Sequence, residues 1–196
     1  RVTLPLPWYS RAAAVAWVGI SDLAAWHETH KDGKYGEMIR QSVGGAPGES
    51  ADIDAELKAR SPITYLVNAK DVALEIAAGR HDGHRGSVPI RHSLNAFNII
   101  AEAVGADRIT EEEIEQMSRP EGHLDEPRES DRVADASFGR EIFLRRHAGR
   151  ARVTIFEGGH TGIATATMEA VCHVSAFLRS VFCPIPPVPL FRDSST

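Results

Sequence analysis

Three short apolar runs constrain this chain more than any other feature. They lie near residues 13–19, 72–78 and 152–157, within Ala12-Ala-Ala-Val-Ala-Trp-Val-Gly-Ile20, Val72-Ala-Leu-Glu-Ile-Ala-Ala78 and Arg152-Val-Thr-Ile-Phe156. The runs are largely continuous rather than alternating, which suits strands buried on both faces of a parallel sheet. Each contains or runs into glycine, and a helical pattern follows each: Leu23, Trp26 and His27 after the first, Leu94, Phe97, Ile100, Ala101 and Val104 after the second, and residues 164–181 after the third. Strand and helix in alternation signify an α/β fold with right-handed crossovers. Three strands make a thin sheet for that class, so the expectation is a three-stranded parallel sheet flanked by helices, forming one end of a larger sheet.

The intervening stretches read more simply. Residues 35–43 and 52–60 have helical character, and Ser61-Pro62 breaks the second. Pro89 opens the helix that Gly105 stops. Thr110 is placed as the N-cap of a short acidic helix ending at Met117, whose glutamates read as a solvated face. Residues 119–136 are charged and interrupted by Pro120, Gly122 and Pro127, and read as an irregular surface excursion, either a lid or plain surface. Residues 141–145 fit a hairpin or a helix end equally well. The proline-rich residues 183–196 are expected to be an extended tail beyond a domain spanning 1–182.

At 196 residues the chain is long enough for one domain with a real core, or for part of a larger one. The net charge of −5 argues against a nucleic-acid partner. No apolar run reaches membrane-spanning length, so no membrane association is expected. Cys172 and Cys183 read as free structural thiols rather than a disulfide framework. The chain opens at Arg1 and runs at once into core-like sequence, as a processed protein or a piece of a longer chain would. Neither compartment nor oligomeric state can be assigned from these features.

Two loops that follow strands carry ionisable side chains: Gly79-Arg-His-Asp82-Gly-His84 and Gly158-Gly-His160. Ligands of parallel sheets bind outside the carboxyl ends of the strands. A histidine there can move protons near neutral pH, and a carboxylate on its Nδ1–H fixes its tautomer. Asp82 and His160 are therefore candidate catalytic partners, against the plainer reading of a turn-capping aspartate and a solvated histidine. Metal is the rival chemistry, from His81, Asp82, His84 and His92, or from His27 and His30, but no closed zinc spacing is present. No metal or other cofactor is expected.

Four stretches resemble the prolyl oligopeptidase family of α/β-hydrolases. Val18-Gly-Ile-Ser-Asp-Leu-Ala-Ala-Trp26 is similar to the strand and turn that follow the nucleophile helix. Ser61-Pro-Ile-Thr-Tyr-Leu66 is similar to the step before the acid-bearing strand. Ile76-Ala-Ala-Gly-Arg-His-Asp-Gly-His84, with Gly86-Ser-Val-Pro-Ile90, resembles the acid loop and its Val-Pro helix entry. Phe156-Glu-Gly-Gly-His160 resembles the histidine turn. The resemblance covers residues 8–178. It implies a serine peptidase or esterase acting on a small peptide or ester, with Asp82 as orienting acid and His160 as general base. The family's nucleophile sits in a Gly-x-Ser-x-Gly turn ahead of the strand at residue 13. This sequence contains no such motif, and Ser21 reads as a helix cap. The chain therefore resembles the C-terminal half of a hydrolase domain, without its serine and inactive alone. The alternative is a non-catalytic binding module or pseudoenzyme. One departure from the pattern is the longer step between acid and Val-Pro, where Gly83 to Ser87 intervene.

Overall fold

A computed structural model describes residues 13–174, with side chains to residue 170. The proline-rich tail and Cys183 lie outside the described residues, as does the 175–181 stretch expected to be helical. The elements run β1 (Ala13–Trp17), α1 (Leu23–His30), α2 (Lys34–Val43), α3 (Ala51–Arg60), β2 (Ala73–Gly79), α4 (Arg91–Val104), α5 (Glu111–Met117), β3 (Ile142–Ala148), β4 (Ala151–Phe156) and α6 (Ala164–Val174).

The fold is α/β, but the sheet has four strands, not three, in the order β1-β2-β4-β3. β1, β2 and β4 are parallel neighbours, and β3 runs antiparallel to β4 on the outer edge. Gly149 explains the added strand. With φ +56 it takes the first central position of a two-residue turn before Arg150. A left-handed glycine there matches the twist of a tight hairpin. Nearly all of β2 and β4 is buried, as their continuous apolar sequences require. β1 is only half buried and pairs on one side alone among the described residues.

One face of the sheet packs on α4. Leu94, Phe97, Ile100 and Ala101 meet Ile76, Ala78, Leu144, Val153 and Ile155, and all nine are almost fully buried. At about 25 cal/mol per Å² of apolar surface, this face is the largest stabilising contact in the fold. The other face is covered near the carboxyl ends of the strands by Trp17, Phe138, Phe156, Ile163 and Ala166. A separate small core, Trp26, Ile39 and Leu57, holds α1, α2 and α3 together. No helix among the described residues is long and apolar enough to cross a membrane.

Two local readings are corrected. Asp22 rather than Ser21 caps α1, its carboxylate accepting from the N–H groups of Ala24 and Ala25. Helix α5 is more than a solvated face. Thr110 and Glu113 form a reciprocal capping box. Glu113 also pairs with the buried Arg146, and Glu111 and Glu115 both reach Arg91. The 119–136 excursion is irregular, as its composition demands, yet firmly held. Asp131 within it is fully buried and accepts from Arg146 Nη1 at 2.7 and 2.8 Å and from the Arg145 N–H at 3.0 Å.

Candidate active site

The ladder between β2 and β4 continues past the ends of both strands. Arg80 N donates to Phe156 O, and His81 N donates to Gly158 O, each at 2.9 Å. Gly79 permits this closeness: a Cβ there would fall 2.4 Å from the Gly158 carbonyl. The two loops are thereby zipped together, and Asp82 and His160 emerge side by side. His160 Nδ1 lies 2.9 Å from Asp82 Oδ2. Because the carboxylate accepts, the proton is on Nδ1, and Nε2 is left as the acceptor. Nε2 has no hydrogen-bond partner among the described residues.

Burial separates the two groups by role. The Asp82 side chain is 0% exposed and that of His160 44%. A buried carboxylate needs several donors, and Asp82 has them. Oδ1 accepts from Gly83 N at 3.0 Å and from Val88 N at 3.1 Å. The second bond shows what the longer step to Val-Pro does: residues 83–87 loop out and return so that Val88 closes on the acid. Gly83 turns the chain with φ +89. Gly86 packs directly against the pair, since a Cβ there would lie 2.1 Å from Asp82 Oδ1 and 2.8 Å from His160 Cβ. Ser87 is clamped from outside, its carbonyl accepting from Trp26 Nε1 at 2.8 Å and from His30 Nε2 at 2.6 Å. Trp26 and His30 are one turn apart on α1, so this helix secures the loop of Asp82.

The histidines of the rival metal reading are engaged elsewhere. His84 Nε2 donates to Ser118 O at 2.9 Å, and His81 lies between Pro120 O and Glu157. His27 is buried beside Arg40, while His30 reaches the Ser87 carbonyl. His92 accepts on Nδ1 from the Asp22 N–H at 3.4 Å. Burial pushes its pKa down, against the pull of the Asp22 charge, which keeps the ring neutral. Among the described residues no three His, Cys, Asp or Glu side chains gather to hold a metal ion.

No hydrogen bond joins Ser21 to His160 among the described residues. Ser21 is buried, and its hydroxyl donates to the His92 carbonyl at 2.9 Å. A cleft of about 800 Å³, between the excursion and the start of β3, is lined by Leu124, Val133, Ile142 and Phe143 and does not include Asp82 or His160. The sequence pointed to Asp82 and His160 by their positions after strands. It did not reveal Gly86, the Val88 N–H or the α1 clamp, because none belongs to a periodic pattern. Comparison with known proteins finds no matching family model, curated protein or solved structure.

Proposed function

We propose that this chain carries the acid and base of a serine hydrolase of the α/β-hydrolase type, similar to the prolyl oligopeptidase family and acting on a small peptide or ester. The observation that carries the reading is the 2.9 Å contact between His160 Nδ1 and a buried Asp82 oxygen at the carboxyl ends of adjacent parallel strands. Acid precedes histidine along the chain, the order of that fold. The nucleophilic serine is supplied by sequence other than residues 1–196, which hold no Gly-x-Ser-x-Gly turn.

In this scheme the serine oxygen bonds to the substrate carbonyl carbon while its proton passes to His160 Nε2. Asp82 holds the ring in the Nδ1–H tautomer and stabilises the imidazolium that forms. The imidazolium then protonates the leaving amine or alcohol as the carbonyl–heteroatom bond breaks. Water repeats the sequence to release the acid. Loss of the triad carboxylate leaves the geometry but costs about 10⁴-fold in kcat in the enzyme where it has been measured. The test is hydrolysis of a p-nitrophenyl ester and a peptide anilide by the serine-bearing protein. Asp82→Asn and His160→Ala should each lower kcat by orders of magnitude. Unchanged turnover in both would leave the alternative, a non-catalytic binding module, as the function.

A further inference from the structure

His81 stands next to Asp82, and its side chain is nearly buried at 10% exposure. Both ring nitrogens meet acceptors. Nδ1 lies 3.2 Å from the Pro120 carbonyl oxygen, and Nε2 lies 2.9 Å from Glu157 Oε1. A carbonyl can only accept. The Glu157 carboxyl is ionised: although burial opposes this, the His81 hydrogen bond and the Arg80 charge hold its pKa below the usual carboxylate range. The ring is therefore held between the two, one acceptor from the excursion and one from the turn that carries His160.

Glu157 follows β4 directly and begins the turn that carries His160. Its N–H donates to Glu141 O at 2.8 Å, and its second carboxylate oxygen meets Arg80 Nε at 2.6 Å. Residues 81 and 82 thus bond to residues 157 and 160, and the two side-chain bonds close a ring across the loops. The excursion is tied to the same loop by Ser118 O on His84, Pro120 O on His81 and Glu121 on Arg80. Glu157 is the ionisable group in contact with the His81 ring, and Arg80 joins Glu157 to Glu121 beside it.

We propose that His81 is a positioning residue, whose ring bridges Glu157 and the Pro120 carbonyl and so fixes the turn of His160 against the loop of Asp82. This rests on the Asp82–His160 reading above, but it concerns groups outside that pair. It also gives the excursion a role, since its Pro120 carbonyl helps hold the His81 ring against Glu157.

Nitrogen-15 spectroscopy of the histidine rings in the protein carrying this sequence tests the idea. The His160 Nδ1 proton should be shifted downfield and protected from exchange with water. His81→Phe keeps a ring of similar size but removes both nitrogens. Glu157→Ala removes the partner, a side chain 42% exposed, and leaves no cavity. Each should abolish the protected His160 proton signal, while the indole signal of Trp17, bonded to Thr167 at 2.7 Å, stays in place as the control for folding. If His81→Phe does not fold, Glu157→Ala decides. A His160 signal unchanged in Glu157→Ala overturns the proposal. The spectra read geometry and not turnover. Failure of the hydrolase reading would appear only in the activity assays and would leave these spectra as they are.

Discussion

Replacing Gly86 with alanine should disconnect His160 from Asp82 while the fold survives. Gly86 has no left-handed φ, so the backbone tolerates a side chain and the effect is purely steric. The new methyl would stand 2.1 Å from Asp82 Oδ1 and 2.8 Å from His160 Cβ, whereas ordinary contact begins at 3.4 Å. Asp82 cannot retreat, because it is fully buried and held by two backbone N–H groups. His160 is the freer partner and must move. A shift of about an ångström would stretch the 2.9 Å contact past hydrogen-bonding range. Overpacking of this kind costs about 1–3 kcal/mol, or about 2–4 °C in Tm per kcal/mol for a chain of this size. Gly105→Ala is the matched control. Nothing lies within 4 Å of its Cβ position, and φ is +69, so the cost is left-handed strain alone, about 1–2 kcal/mol. Both variants should therefore melt lower. Only Gly86→Ala should lose the protected His160 ring proton, together with ester hydrolysis in the serine-bearing protein. A Gly86→Ala variant that keeps that proton would refute the packing argument.

Asp131→Ala should be far more costly, about 3–5 kcal/mol, because it leaves the Arg146 charge buried with Glu113 as its remaining carboxylate partner. The urea midpoint measures this, and a loss under 1 kcal/mol would show that the excursion is not anchored there. Acid should loosen the same region. The Glu113 and Asp135 carboxyls are held below their ordinary pKa despite partial burial, Glu113 by the Thr110 N–H and Arg146, Asp135 by Ser137 and Arg145. A depressed carboxylate contributes stability that is present above its unfolded value, about 4, and lost as pH falls through the folded value. Stability measured by denaturant should therefore decline below about pH 4, and Asp135→Asn should flatten that decline. Trp26→Phe removes one donor to the Ser87 carbonyl and should cost about 0.5–1.5 kcal/mol for the lost bond. Proteolysis at residues 83–87 should quicken in that variant, and unchanged cleavage would remove the clamp from the account.

The parallel strands were legible because β2 and β4, apart from the paired Glu75 and Arg152, are apolar or β-branched runs that must be covered on both faces. Helix ends were legible at Gly105 and Thr110, where a left-handed stop and a side-chain cap have plain sequence signatures. Strand β3 was obscured by Arg145 and Arg146, adjacent cations buried in its middle. They are tolerated because Asp131 and Asp135 arrive from the irregular segment before it and Glu113 from α5. No local pattern announces a pairing of that kind. Nor does sequence show the bulge at Phe143, which places that ring under Arg80 at 4.0 Å. Asp82 and His160 could be named because each follows a strand. Their meeting depended on β2 and β4 being neighbours and on glycines at 79, 86 and 158 letting two backbones touch.

Labelling with a serine-directed phosphonate tests the proposed function most directly, because such a probe reacts only with an activated hydroxyl. The protein bearing both this sequence and a Gly-x-Ser-x-Gly serine should be labelled at that serine. His160→Ala and Asp82→Asn should abolish or sharply slow the labelling, and residues 1–196 alone should not react. Labelling that survives His160→Ala, or labelling of residues 1–196 that Ser21→Ala removes, would contradict the assignment of Asp82 and His160 as acid and base to a serine outside this chain.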